Sequence, residues 1–282
     1  MRHAIPCFRW GSGASPHAER VTVRTLVAFA AMVVAACAHA LHEPSPISGM
    51  ATAPEGRDAA DLLREGDAAW RRRAEPGQAA AAQDLYVQAA AADERGVGGL
   101  LGAMRAMTFR IERERDATVR GTLAKQQVDL GQWCQRRAPS DPACDYRLAL
   151  ALGQQARERP STGRDAVDKM VKLLRRAIAA DAALDSGGPH RALALVLLRA
   201  PSWPAGPGDA GAALEEARAA VRLFPDVAGN QLALAEALDK NEQPEPARAA
   251  YERAASLAAA AREAGDPEAD RALAEARAGA KR

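Results

Sequence analysis

The chain is poor in aromatic residues, which make up 4% of its 282 positions. It also lacks runs in which β-branched residues alternate with polar ones, the pattern that predicts β-strands. Alanine is the commonest residue, and alanine has the strongest intrinsic preference for helix. These features predict an all-α protein without strands.

Histidine is scarce, and only His39, His42 and His190 follow residue 36. A hydrolase triad needs a histidine beside a nucleophile and a carboxylate, and a zinc site needs three or four ligands in tight spacing. Because neither pattern occurs, we expect no enzyme activity, no metal and no cofactor. Gly206–Gly211 fits the dinucleotide fingerprint GxGxxG, but no strand precedes it. We therefore expect a loop there, with Asp209 capping the next helix.

Charge of one sign is not in excess. Residues 1–36 contain four arginines and one glutamate, so the rest of the chain carries 34 basic and 35 acidic side chains. Binding of nucleic acid needs a clustered basic footprint. We expect no nucleic-acid partner.

The only long apolar run is Leu26–Ala36, which is shorter than the roughly 20 residues that span a bilayer. Arg20 and Arg24 precede it, so residues 1–36 are predicted to be a signal peptide. Residues 1–19 fit a signal peptide poorly, and an over-extended start would explain them. The ending Val34-Ala35-Ala36-Cys37 resembles a bacterial lipobox, which predicts cleavage before Cys37 and its lipid modification.

Ordinary cleavage near residues 38–40, releasing a soluble secreted protein, is the alternative. With a lipid at Cys37 we expect a protein of the cell envelope that faces the periplasm, and Ala38 favours the outer over the inner membrane. Residues 37–57 contain Pro44, Pro46 and Pro54 and are predicted to form a flexible tether.

Residues 58–282 are predicted to fold as about five helix hairpins and a C-terminal capping helix. The hairpin at 228–259 places Leu234, Ala235 and Leu238 on one helix face, and Ala247, Tyr251 and Ala254 on the other. This arrangement is similar to the tetratricopeptide pattern of small and large residues, whose hairpins stack into an α-α superhelix. The predicted pairs are 58–73 with 78–94, 96–115 with 116–137, 142–158 with 163–181, 189–199 with 209–224, and 226–240 with 244–264, capped by 267–280.

Three further stretches resemble the T-component family of tripartite ATP-independent periplasmic (TRAP) transporters. They are Gly66–Trp70 followed by Arg73 and Pro76, Leu184–Arg191 leading into Leu193–Leu198 and Ala200–Pro204, and Phe224–Asp226 with Asn230 and Leu234–Leu238. The resemblance covers Ala60 to Leu257. It implies a periplasm-facing, tetratricopeptide-like lipoprotein that associates with a solute-binding protein or with further copies of itself.

The signature stretches supply the candidates for contact with a partner or ligand, which we expect to be exposed or to face the groove: Trp70, His190, Arg191, Trp203, Asn230 and Glu236. Trp203 lies between two prolines, so it either plugs the gap between two helix pairs or lines a partner groove. Gly187, Gly188 and Pro189 are suited to end one helix and begin the next.

Cys134 and Cys144 are ten residues apart at a helix junction, and in an oxidising periplasm they can form a disulfide. Two separate buried thiols are the alternative. Two functions remain open from the sequence. One is a scaffold that holds a periplasmic protein, a peptide or a small apolar solute in its groove, and the other is a structural envelope lipoprotein with no transport role.

Overall fold

The computed structural model describes residues 39–281, so the predicted signal peptide and Cys37 lie outside the described residues. The described part contains eleven α-helices and no named strand. The helices, in chain order α1 to α11, are Ala59–Arg71, Gln78–Ala92, Gly98–Arg113, Ala117–Arg137, Pro142–Glu158, Gly163–Ala180, Leu184–Arg199, Ala210–Leu223, Ala228–Lys240, Pro244–Glu263 and Ala269–Gly279.

Local signals fix where several of these helices begin. Asp58, Asp116, Asp141 and Asp209 each accept a hydrogen bond from a backbone N–H in the first turn of the helix that follows. Such N-caps satisfy donors that have no partner inside the helix. The predicted capping by Asp209 is therefore confirmed: Gly206 and Gly208 lie in the loop before α8, and Gly211 lies in its first turn.

Consecutive helices pack side by side as antiparallel hairpins, and the odd-numbered helices also contact one another in succession, from α1 through α11. The odd-numbered helices thus form an inner layer, and the even-numbered helices an outer layer. Alanine permits the close approach: Ala235, Ala247 and Ala254 are at most 2% exposed between α9 and α10. The stacked-hairpin fold predicted from the sequence is confirmed, with α11 packed against α9 and α10 as the cap.

The two ends of the stack meet. Arg73, after α1, lies 3.4 Å from Asp266 and 3.8 Å from Glu268, both in the connection between α10 and α11. Arg113, at the end of α3, donates to the carbonyl oxygen of Pro267 at 2.9 Å. The superhelix therefore curves far enough for its last connection to contact its first repeats.

Residues 40–51 differ from the expected flexible tether, because they lie along the body as a strap. Ala40 is fully buried, and Ile47, in a single turn of 3-10 helix at Ile47–Gly49, is 8% exposed. Trp133 Nε1 donates to the carbonyl oxygen of Ser45 at 2.9 Å. Nη1 and Nη2 of Arg136 donate to Oε1 and Oε2 of Glu43, each at 2.8 Å. Burial of apolar side chains and these bonds compensate for the entropy lost on ordering the segment.

Candidate interaction pocket on the inner face

A pocket of about 340 Å³ opens on the inner layer, across α1, α3 and α5. Two similar groups of side chains, each containing a tyrosine, an aspartate and an arginine, border it. Between them lie apolar side chains that include Leu63, Leu101 and Leu184. Such a combination of apolar surface and a few polar groups is typical of binding pockets.

The first group is centred on Tyr86 of α2. Its hydroxyl donates to Asp67 Oδ1 at 2.5 Å and accepts from Arg105 Nη2 at 3.0 Å. The Tyr86 ring reaches the inner face because Gly66 and Gly102 leave room: a Cβ at either position would lie within 2.8 Å of a ring carbon. Burial, and next the hydrogen bond to Asp67, raise the pKa of Tyr86 to about 12.

The second group is centred on Tyr146 of α5, whose hydroxyl donates to Asp185 Oδ2 at 2.7 Å. Arg147 and Arg191 lie 3.8 and 3.9 Å from the same carboxylate oxygen. Burial is the main cause that raises the pKa of Tyr146. A neutral phenol therefore persists at this position as a hydrogen-bond donor to Asp185.

An unusual turn places Asp185 there. Asp185, Ser186 and Gly187 have φ values of 50°, 54° and 78°, a left-handed conformation that side chains other than glycine rarely adopt. The next residue, Gly188, has no room for a side chain, because a Cβ would lie 2.5 Å from the Tyr146 oxygen. The turn lies inside α7 and interrupts its helical geometry, so the break that these glycines and Pro189 predict is present, although α6 itself ends earlier, at Ala180. The turn also fixes the second group.

The two groups together contain three guanidinium groups and two carboxylates. Their ion-pair distances of 3.6 to 3.9 Å exceed those of a direct charge-assisted hydrogen bond. Arginine forms paired hydrogen bonds with planar anionic groups. The pocket can therefore hold an apolar side chain together with a carboxylate or another hydrogen-bond acceptor.

None of the six candidate residues is among the side chains that line this pocket, but two lie next to its polar groups. Arg191 belongs to the second group, and its Nη1 also donates to Asn230 Oδ1 at 2.6 Å. Trp70 lies beside the first group, with Arg105 4.7 Å and Arg73 4.8 Å from its ring centroid. Its ring contacts Phe109 edge-to-face at 5.6 Å.

Asn230 is not at the surface, contrary to the expectation that it faces the groove. It is 0% exposed, and its Nδ2 contacts the carbonyl oxygens of Ser186, Ala220 and Phe224 at 3.0 to 3.2 Å. Asn230 thus supplies a buried donor to the Ser186 and Phe224 carbonyl oxygens, and a second donor to the Ala220 oxygen, which already accepts from the Phe224 N–H. Asn230 is a structural residue that cannot contact a partner directly.

The remaining three candidates lie apart from the pocket. His190 Nδ1 lies 2.6 Å from Glu216 Oε2, between α7 and α8. Glu236 accepts from Arg199 at 3.3 Å. Trp203 is 87% exposed, so it does not plug a gap between helix pairs. The six candidates thus do not form one site.

Sequence reasoning missed most of the pocket, namely Tyr86, Arg105, Tyr146 and Arg147. Asp67 and Asp185 lie inside two of the stretches that resemble the T-component family, Gly66–Trp70 and Leu184–Arg191. The sequence carries no simple signal for them, because Tyr146 and Arg147 are adjacent whereas Tyr86 and Arg105 are 19 residues apart on different hairpins. Their pairing with an aspartate from another helix becomes visible only in the fold.

The structure joins Cys134 and Cys144 by a disulfide, with the two Cα atoms 5.3 Å apart. Both residues are fully buried, at the end of α4 and the start of α5. The bond therefore links two helices of the stack. Within residues 39–281 no group of three or more His, Cys, Asp or Glu side chains could hold a metal ion, and no helix is both long and apolar enough to cross a bilayer.

Comparison with solved structures defines the class of fold. TTC0263, a thermophilic TPR protein of Thermus thermophilus, is 18% identical, with 77% of this chain and 98% of that chain covered and a TM-score of 0.57. Yeast Tom70 is 17% identical, with 79% of this chain and 40% of that chain covered. MamA is 15% identical, with 71% and 91% covered. Their TM-scores are 0.49 and 0.46, too low to add to the argument.

The chain thus has a tetratricopeptide-like fold, as the sequence predicted. No family model and no curated protein sequence matches it. The likeness to TTC0263 concerns the fold and does not carry over a partner or an activity.

Proposed function

We propose that this protein is a non-enzymatic scaffold that binds a segment of a protein partner in the pocket on its inner face. The observation that carries the proposal is the pairing of two tyrosine–aspartate–arginine groups across apolar side chains. A partner segment in which an apolar side chain lies next to an acidic side chain matches this lining. A small ligand of the same chemistry would fit the same pocket.

We further propose that the chain is held to the cell envelope by a lipid on Cys37, facing the periplasm, with the outer membrane as the favoured site. The apolar run before Cys37 supports this anchoring. A TRAP-type solute-binding protein is the proposed partner, because the Leu184–Arg191 stretch that resembles the T-component family contributes Leu184 to the pocket lining and Asp185 as the partner of Tyr146. Assembly with further copies of the chain is a second form of partnership.

The alternative is a structural or assembly lipoprotein of the envelope with no transport role. The strap and the contact between the two ends of the stack favour it, since both features stiffen the body without needing a ligand. The two functions predict different partners, namely a solute-binding protein or outer-membrane machinery.

Affinity capture from solubilised envelopes tests the proposal. We expect the wild-type chain to retain one main partner, and R105E/R147E to lose it, because the reversed charges repel an acidic group at the pocket. The matched control is R95E/R222E, which reverses two exposed arginines elsewhere and should retain the partner. Equal capture by both double variants, each folded by circular dichroism, would contradict the assignment of the pocket.

A further inference from the structure

The strap enters the body at the first turn of α6. The backbone N–H of Ala40 donates to Asp165 Oδ2 at 2.6 Å, and Asp165 is also paired with Lys169. Three residue steps separate Ala40 from Cys37, so their Cα atoms are at most about 11 Å apart. A lipid on Cys37 would hold this part of the body close to the membrane.

The connection between α5 and α6 lies beside this entry point. Arg159 is exposed on it, and Arg164 is exposed in the first turn of α6, which follows it. The neighbouring carboxylates are engaged, since Glu158 pairs with Arg120 at 3.0 Å and Asp165 is held as described above. The exposed Asp168, one turn further along α6, offsets part of this charge, and the exposed charge of these residues is still net positive.

The connection between α7 and α8 lies at the same edge of the stack, the edge where the odd-numbered helices end. This follows because α5 and α7 are neighbours in the inner layer and run in the same direction. It contains Trp203, which is 87% exposed between Pro201 and Pro204. No charged residue occurs in it before Asp209. Tryptophan prefers the headgroup region of a membrane, and arginine near the surface is attracted to anionic lipids.

We propose that the end of the body carrying Arg159, Arg164 and Trp203 rests on an anionic lipid surface, with the Trp203 ring among the headgroups. This orientation rests on the anchoring at Cys37 in the proposed function. The pocket is lined by the opposite ends of α3 and α5, so it lies about 20 Å from this surface along α5. The membrane contact thus leaves the pocket free for a partner.

Tryptophan fluorescence tests the orientation. The chain without residues 1–36 has three tryptophans, Trp70, Trp133 and Trp203. The acylated protein is placed in vesicles of phosphatidylcholine and phosphatidylglycerol, with part of the phosphatidylcholine brominated near the headgroup. We expect quenching of the wild-type emission and its loss in W203F. Equal quenching in the two proteins would overturn the proposal.

Charge reversal tests the basic part of the surface. R159E/R164E should lose most of the quenching in these vesicles. R95E/R222E, altered at the opposite edge of the stack, where the odd-numbered helices begin, should keep it. Unchanged quenching in R159E/R164E would overturn the role of the arginines.

Mass spectrometry of the mature chain and flotation with vesicles separate this proposal from the proposed function. A chain without acyl groups at Cys37 would contradict the anchoring and this orientation together. An acylated chain that floats with vesicles but shows no difference between wild type and W203F would contradict the orientation alone. Binding of a partner at the pocket is measured independently by the capture experiment.

Discussion

At the scale of single residues, one buried amide joins three parts of the chain. Asn230 of α9 donates to carbonyl oxygens at the end of α8 and in the left-handed turn near the start of α7, and accepts from Arg191. The signature stretches around residues 184–191 and 224–230 are thus linked through Asn230. A residue that the sequence assigns to a binding surface serves instead to hold the turn that carries Asp185.

The isosteric substitution N230D tests this role. A carboxylate oxygen would face carbonyl oxygens in place of the amide donor, leaving buried acceptors without partners. We expect the free energy of unfolding to fall by about 2–4 kcal/mol in urea titration. N230A should be similarly destabilised. If the free energy of unfolding of N230D equals that of the wild type within error, the amide is not needed.

Tyr86 gives a prediction on pH dependence. Its pKa in the folded protein is about 12, above the ordinary value of about 10 for a tyrosine. The folded state therefore favours the neutral phenol, and this contribution is present below about pH 10 and is lost as the pH rises towards 12. We expect Y86F to lose less stability than wild type over that interval, measured by chemical denaturation at each pH. An identical loss of stability at alkaline pH in both proteins would contradict the raised pKa of Tyr86.

At the scale of helices, close contact depends on where glycine lies. A Cβ at Gly99 of α3 would lie 2.5 Å from the Tyr86 carbonyl oxygen and 2.6 Å from the Ala90 nitrogen, both on the backbone of α2. A Cβ at Gly121 of α4 would meet nothing within 4 Å. The same substitution should thus have opposite effects at these two helical positions.

We expect G99A to lose about 1–3 kcal/mol of unfolding free energy, because α2 and α3 must move apart. G121A should gain up to about 1 kcal/mol, because alanine is the better helix former. Urea denaturation of both variants checks the pair. Destabilisation of equal size at the two positions would show that the helix contact does not limit residue size at position 99.

The disulfide links α4 to α5. Free-thiol titration of the oxidised, folded protein should find no reactive thiol at Cys134 and Cys144. The double variant C134S/C144S should lose roughly 2–3 kcal/mol, by the chain-entropy model for a loop of this size. Two titratable thiols after unfolding without reductant would contradict the bond.

The sequence predicted these helices well, because their ends carry local signals. Aspartate caps, the glycines near residue 187 and the prolines at 142 and 244 mark boundaries within a few residues. The strap could not be predicted in this way, since Ser45 and Ala40 bind side chains 88 and 125 residues away. The pocket was missed for the same reason, as its two groups draw on five helices.

At the scale of the whole molecule, polar contacts bring the first and last repeats together. Arg271 of α11 lies 3.4 Å from Glu112 of α3, and Arg73 contacts Asp266 and Glu268. Burial is the main cause that raises the pKa of Glu268. Because these contacts are mainly ionic, the closure of the stack, meaning the contact between its first and last repeats, should be weaker than the packing between successive helices.

The double variant D266K/E268K tests this closure. Repulsion from Arg73 should separate the ends, and the radius of gyration in small-angle X-ray scattering should increase while helix content stays constant. The control E252K/E263K changes the net charge equally at exposed positions of α10 and should leave the radius unchanged. An unchanged radius in D266K/E268K would show that the ionic contacts do not hold the ends together.

Site-specific photo-crosslinking in living cells tests the central claim, that the inner face is the docking surface, most directly. A photo-reactive amino acid replaces Leu101 in the pocket or, as the control, Glu252 on the outer layer. The account predicts a discrete crosslinked protein from position 101 that is absent from position 252 and is lost in the R105E/R147E background. Crosslinking from position 252 alone would contradict it.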